Sequence, residues 1–240
     1  MHESVLTAVD RKSCKAGLHG ELILPGDEDY DSARRVWNFG IVTAFEFQLH
    51  PIGPVLAGKV VYPLAKAREV LRFYRDYTRS APDELTVYAS LITTSAGLLA
   101  ISISLCYCGP LDEGGRLVEQ ARSFSVPVAE TIGPKTYFKV ITQANAGAPD
   151  GRSYYQKAST LATLSDEVID TIAASGAACT SPCSQVLIQH MHGVASRVGP
   201  TETAFALRDE SYVVSIVAAW EDGQAEKRYD SDSQQGQARP

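Results

Sequence analysis

The hydrophobic and polar positions of this 240-residue chain change their spacing several times, and each change predicts an element. Residues 65–79 place Val70 and Leu71 on one side of a helix and charged residues on the other, which is typical of an amphipathic helix. Further helices are predicted over 111–124 and 165–178. Runs rich in β-branched and aromatic residues predict the strands. These strands cover residues 40–49, 55–62, 85–94, 99–108, 154–160, 184–192 and 211–220.

The order strand-helix-strand-strand-helix occurs once in full and then again without its last helix. Two such halves form one antiparallel sheet with helices on one face, so the predicted fold class is α+β. A short strand and helix over residues 20–38 precede the first half. Residues 134–153 are compatible with either helix or strand. The stretch from residue 221 to the end has almost no apolar side chains and is predicted to be disordered.

Composition excludes several classes of function. The formal net charge of −6 argues against a nucleic-acid or anionic-membrane surface, which needs clustered lysine and arginine. No apolar stretch approaches the roughly 20 residues of a membrane helix. Residues 1–10 carry no secretory signal pattern. Because the five cysteines are odd in number and unevenly spaced, they predict no disulfide framework, and we expect a cytoplasmic protein.

One set of residues offers metal chemistry as an alternative. Cys179, Cys183, His190 and His192 supply thiolates and imidazoles, the ligands of tetrahedral zinc sites. Such a site requires the two cysteines to bridge a predicted helix end and a turn, and both imidazoles to face one point. A zinc-binding domain therefore stays open as an alternative, and no metal ligand is assigned. A second cysteine pair, at 106 and 108, is predicted to be small buried thiols on one strand face.

Two adjoining segments resemble the FAD-linked oxidases of the berberine-bridge-enzyme-like group, in the vanillyl-alcohol-oxidase superfamily. The first segment is Gly-Glu-Leu-Ile-Leu-Pro-Gly-Asp at 20–27 and its continuation to Asn38, and the second is the run from Phe39 to Pro51. The resemblance extends over residues 17–222, and the order and spacing of its short motifs carry it. The other motifs are Ala81–Leu85, Cys106–Gly109, Tyr155 with Lys157, Leu164–Glu167, Ala204–Phe205 with Arg208, and Trp220–Asp222.

The resemblance implies a flavin enzyme from which a large part is missing. In this family the first segment opens the flavin-binding domain and the second enters the substrate domain, so the intervening flavin site is expected to be absent between Asn38 and Phe39. The family's C-terminal motif is absent too. We therefore predict a remnant of the flavin domain over 1–38, a substrate domain over 39–222 and a tail over 223–240.

The family transfers a hydride from an alcohol or amine carbon of a small-molecule substrate to FAD. This chain is expected not to retain FAD and to be inactive alone. The resemblance implies that Asn38, Phe39 and Gly40 are the remnant of a loop that approaches the dinucleotide, and that the sheet is the wall facing the flavin. No catalytic base is assigned.

Several residues are candidates for the ancestral substrate pocket. Tyr155 and Lys157 are two apart on a predicted strand, so both side chains point to one face. The other candidates are Gln189, His190 and Tyr212. The alternative interpretation is a solvated strand face for the first pair and a partly buried, hydrogen-bonded histidine.

A function of another class is a small binding or dimerisation module. A sheet face built to meet a flavin domain leaves an exposed patch when that domain is absent, and such patches recruit partners. A homo-oligomer formed through the exposed sheet face is the expected form of this alternative.

Overall fold

The computed structural model describes most of the chain from residue 51 to residue 221. The described residues are 26–28, 48, 51–145, 147–199, 202–203, 205 and 207–221. Of the elements predicted over 20–38, only the turn at 26–28 is among them. The strand predicted over 40–49 and the predicted tail lie outside the described residues, apart from positions 48 and 221.

Within the described residues the chain forms eight strands and five helices. The strands are β1 Val55–Pro63, β2 Leu85–Thr93, β3 Leu99–Tyr107, β4 Ala129–Glu130, β5 Gly133–Lys135, β6 Arg152–Leu161, β7 Gln185–Met191 and β8 Ser211–Glu221. The helices are α1 Ala67–Thr78, α2 Leu111–Ser123, α3 Tyr137–Asn145, α4 Asp166–Ala177 and α5 Val194–Arg197. A 3₁₀ turn, Leu64–Lys66, leads into α1.

All eight strands belong to one antiparallel sheet. Its order is β4-β1-β3-β2-β7-β8-β6, and β5 also pairs with β1. The predicted α+β class is therefore confirmed. The region left open at 134–153 contains the end of β5, helix α3 and the start of β6. No helix in the described part of the chain is long and apolar enough to cross a membrane.

The hydrophobic core lies between one face of the sheet and helices α1, α2 and α4. Alternate residues of each central strand point into it, because side chains of a strand alternate between its faces. The core residues of β2 and β3 are Leu85, Val87, Ala89, Leu91, Ile101, Ile103, Leu105 and Tyr107. Helix α1 contributes Val70, Leu71 and Tyr74, all fully buried. Helix α3 is placed differently, since its Tyr137 lies near Tyr88, on the opposite face of the sheet. Burial first, and then this neighbour, raise the pKa of the Tyr88 phenol.

Buried tyrosines connect the helices to the sheet. The Tyr74 hydroxyl lies 3.2 Å from the carbonyl oxygens of Val87 and Ile188, on two neighbouring strands. The Tyr77 hydroxyl donates to the carbonyl oxygen of Leu117 at 2.9 Å, which joins α1 to α2. Burial raises the pKa of Tyr77 to about 12. These phenols are therefore neutral donors in the core at physiological pH, each with an acceptor.

A glycine lets the short edge strands approach β1. Gly58 has a φ of 153°, and a Cβ atom there would lie 2.5 Å from the carbonyl oxygen of Thr131. The backbone N–H of Thr131 donates to the carbonyl oxygen of Lys59 at 2.9 Å. Only glycine leaves room for this approach, so the 129–135 segment depends on position 58.

The chain divides into two compact units. The larger contains residues 49–197 and 209–240, and the smaller contains residues 1–48 and 198–208. Within the smaller unit, Arg208 donates to the Thr203 hydroxyl at 2.7 Å and places its guanidinium over the Phe205 ring. The domain boundaries predicted at 38/39 and 222/223 lie outside the described residues and stay predictions.

We expect truncation of the core residue Leu71 to destabilise the fold strongly. Leu71→Ala leaves a cavity between α1 and the sheet, and should lower the free energy of unfolding by about 2–5 kcal/mol, as measured by urea denaturation. Leu98→Ala is the matched control, because Leu98 is 68% exposed in the β2–β3 turn and its truncation should change stability by less than about 0.5 kcal/mol. Equal effects of the two substitutions would contradict this placement of the core.

Candidate functional site

The face of the sheet opposite α1, α2 and α4, here called the open face, carries two rows of mostly polar side chains. Directly opposed residues of antiparallel strands point to the same face, so the register defines each row. The first row crosses five strands as Lys59, Ser104, Tyr88, Gln189 and Val213. The second row crosses the same strands as Val61, Ser102, Ser90, Leu187 and Ser215.

The two rows differ in accessibility. The serines of the second row are buried among their neighbours, with Ser102 only 2% exposed. In the first row Tyr88 is half-buried, and burial is the main cause that raises the pKa of its phenol. A surface of hydroxyl and amide groups on rigid strands can hold a polar small molecule in a defined orientation.

A second polar cluster lies on the helix side of the sheet, around His190. The imidazole is almost fully buried, and its ring stacks against His192 and Tyr212 with centroid distances of 4.8 Å and 4.7 Å. Its Nε2 atom lies 3.0 Å from Oε1 of Glu210. The Tyr212 hydroxyl lies 3.0 Å from the Thr78 hydroxyl, at the C-terminal end of α1.

The protonation of His190 follows from these neighbours. Burial, and then the adjacent His192, lower its pKa, and this outweighs the opposite effect of Glu210. The neutral ring donates Nε2–H to the Glu210 carboxylate, because a carboxylate can only accept. The Nδ1 atom is then an acceptor, and it is buried without a hydrogen-bond partner.

A cavity of about 260 Å³ adjoins this cluster. Arg75 fixes one wall, since its Nη1 donates to the carbonyl oxygen of Leu164 at 3.1 Å and to the Asp166 carboxylate at 2.8 Å. This contact holds the pKa of Asp166 below its usual value. The lining includes Arg75, Arg79, Leu164, His190, Glu210 and Tyr212.

The structure distributes the predicted pocket residues over different surfaces. Gln189 lies on the open face, whereas His190 and Tyr212 share the helix-side cavity. Tyr155 and Lys157 share one strand face, as their spacing predicts, and pair with Ala218 and Ile216. That is the face of Tyr212, so this pair points to the helix side of the sheet, where both side chains are exposed. The Lys157 ammonium lies 5.7 Å from the Tyr155 ring centroid. The loop remnant predicted at residues 38–40 lies outside the described residues.

The residues proposed for zinc are placed far apart. Cys183 precedes β7 and His190 lies near the end of that strand, which separates them by roughly 23 Å at the usual rise of a strand. The Nε2–H of His192 donates to the Leu85 carbonyl oxygen, and the Cys179 thiol donates to the Ser181 carbonyl oxygen. The described residues contain no group of three or more histidines, cysteines or carboxylates arranged for a metal. The zinc alternative is therefore wrong for this set.

Three of the helix N-termini in the described part of the chain are unfavourable for a phosphate. Helix N-termini bind phosphates when their N–H groups and positive dipole end are free. The first turns of α1, α2 and α4 instead carry acidic residues, which would repel a phosphate. These residues are Glu69, Asp112, Glu113, Asp166 and Glu167. The N-termini of these three helices therefore disfavour a phosphate.

We expect the burial of His190 to make stability depend on pH. Because the folded-state pKa lies below the unfolded value of about 6.5, protons bind preferentially to the unfolded chain as the pH falls through that value, and the free energy of unfolding decreases. Urea denaturation between about pH 7.5 and pH 5.5 measures this slope, above the range in which most carboxylates titrate. His190→Phe should flatten the slope, whereas Glu210→Gln should retain it. An unchanged slope in His190→Phe would contradict the assignment.

The chain is similar in sequence to a curated protein and similar in fold to many solved structures. No family model matches the chain. An FAD-linked oxidoreductase of Dictyostelium discoideum is 30% identical over 203 residues, which is 81% of this chain and 44% of the relative. The chain therefore spans less than half the length of this relative.

Solved structures show the same fold at lower identity. Berberine-bridge-enzyme-like protein 1 of Physcomitrella patens is 17% identical with a TM-score of 0.64. The match covers 78% of this chain and 44% of that protein. The 6-hydroxy-D-nicotine oxidase of Arthrobacter nicotinovorans is 18% identical with a TM-score of 0.62. This match covers 75% of this chain and 41% of the oxidase. The resemblance of this chain to FAD-linked oxidases of the berberine-bridge-enzyme-like group is thereby confirmed.

Proposed function

We propose that this chain is the substrate-side sheet domain of an FAD-dependent oxidoreductase that oxidises an alcohol or amine carbon. The open face carries the proposal, because Ser104, Tyr88 and Gln189 form a continuous polar row on rigid strands. Such a row can orient a small polar substrate by hydrogen bonds. The similarity to the FAD-linked Dictyostelium relative supports the reaction class.

We also propose that the chain does not retain FAD by itself and has no oxidase activity alone. Two observations support this part. In the sequence, the segments that flank a flavin-binding domain in the family adjoin at Asn38 and Phe39. In the described residues, carboxylates occupy the first turns of α1, α2 and α4, where a phosphate would otherwise be favoured. The four described cysteines are free thiols, which is compatible with the cytoplasmic location that we propose.

The flavin content of the purified full chain tests this proposal. After incubation with excess FAD and gel filtration, we expect the protein peak to lack flavin absorbance. The Dictyostelium relative, purified in parallel, serves as the positive control because it is FAD-linked. One flavin per chain that remains through gel filtration would contradict the proposal, and so would turnover of a substrate by the chain alone.

A second candidate function, self-association, is favoured by helix α3. Phe138 and Ile141 are 76% and 49% exposed on this short helix. Tyr137 precedes them and is 41% exposed. Adjacent exposed apolar side chains of this size mark surfaces that bind a partner. We propose a second copy of the chain as that partner.

Light scattering coupled to size-exclusion chromatography tests the self-association. We expect the wild-type chain to show a concentration-dependent dimer and Phe138→Asp to remain monomeric, because a carboxylate in the interface is desolvated without a partner. Leu98→Asp is the control. Leu98 is 68% exposed in the turn between β2 and β3, away from α3 in the sequence, and this variant should still dimerise. A wild-type chain that stays monomeric at all concentrations would exclude this function.

A further inference from the structure

The helix-side cavity beside His190 combines a packed floor with exposed charges. Its floor consists of Leu164, His190 and Tyr212, each at most 5% exposed. Arg79 and Glu210 also line the cavity, and both side chains are exposed. A rigid floor with a few polar groups around it is typical of a site for a small molecule.

Arg79 and Glu210 are charges of opposite sign that do not neutralise each other. Arg75, the second arginine of the lining, is paired with Asp166 at 2.8 Å. Arg79 forms no ion pair with any part of the chain that the structure describes. Glu210 accepts a hydrogen bond from His190 through Oε1, and no described residue donates to its Oε2 atom. The lining therefore keeps a cation and an anion available to a ligand.

Both charges lie near the same buried phenol, which places them around one space. Burial is the main cause that raises the pKa of Tyr212, and Glu210 acts in the same direction. The hydrogen bond with Thr78 and the nearby Arg79 lower this pKa. His190 adds no charge to the floor at neutral pH, because burial lowers its pKa. A ligand in this cavity thus meets a positive and a negative group beside a neutral floor.

Size and charge together select the class of ligand. A water molecule occupies about 30 Å³ of the liquid, so the cavity of about 260 Å³ has room for about nine non-hydrogen atoms. A free α-amino acid with an aliphatic side chain has this size, and it carries a carboxylate and an ammonium group on one carbon. We propose that the cavity binds such an amino acid, with its carboxylate on Arg79 and its ammonium group on Glu210. The aliphatic side chain then packs against Ala162 and Leu164.

The site is separate from the proposed oxidase function. Its floor residues His190 and Tyr212 lie on the helix side of the sheet, opposite the open face that carries Gln189. Binding there forms no covalent bond and needs neither flavin nor an oxidisable substrate. Q189A, on the open face, should therefore leave amino-acid binding unchanged, whether or not the oxidase proposal holds.

An NMR titration of the isotope-labelled full chain with L-leucine tests the site. Two charge-assisted contacts support a dissociation constant of about 1 mM or lower. We expect saturable shifts of the backbone amide signals of Thr163 and Ser211, which line the cavity. Leucinamide lacks the carboxylate charge and isocaproate lacks the ammonium group, so each should bind at least about 10-fold more weakly.

Matched variants assign the two contacts. R79Q should weaken leucine binding by at least about 10-fold and remove the preference for leucine over leucinamide. E210Q should remove the preference over isocaproate in the same way, while its amide oxygen still accepts from His190. R116Q and E119Q change exposed residues of α2 outside the cavity, and they should leave leucine binding unchanged.

These variants also distinguish a lost contact from a lost fold. All four substituted side chains are exposed, so each variant should keep the circular dichroism spectrum and unfolding midpoint of the wild-type chain. Leucine that causes no saturable shifts at about ten times the expected dissociation constant would overturn the proposal. An R79Q chain that binds leucine as tightly as the wild type, or analogues that bind as tightly as leucine, would overturn it too.

Discussion

The structure depends on the strict alternation of side chains across one antiparallel sheet. Ala89 pairs with Ile103 and Ile188 toward the helices, while the next residue, Ser90, pairs with Ser102 and Leu187 toward the open face. A slip of one residue in any pairing would exchange these sets and put serines into the core. The buried apolar residues on the helix side therefore fix the register, and the register in turn fixes the composition of the open face.

The sequence predicted those elements whose faces differ sharply in polarity. Helix α1 was predicted over 65–79 and forms Ala67–Thr78, because its apolar residues recur at helical spacing against a charged side. Strands β2 and β3 lie within the predicted ranges for the same reason at period two. The two-residue strand β4 has no periodicity to detect, and its place depends on the space left by Gly58 in a distant part of the chain.

The candidate site was less predictable, because a face can be assigned only after the register is known. Spacing alone predicted that Tyr155 and Lys157 share a face. Which face it is depends on the pairing of β6 with β8, and β6 is exposed along most of its length, so its own sequence gives little signal. The polar rows of the open face had a detectable signal, namely the alternation of Ser102 and Ser104 with isoleucines in β3. Small residues such as serine are also common in the interior, so this signal does not by itself identify a polar surface.

The two faces of the sheet differ in what they contribute to the protein. The core is complete on the helix side, where Leu71, Tyr74 and Ile169 are fully buried. The open face carries mainly hydroxyl and amide groups, and the serines of its second row are buried. Exposed apolar side chains lie outside this core at several places, among them Phe138 on α3 and Val126 after α2. The apolar core and the polar rows thus lie on opposite sides of one sheet, and the same strand register places both.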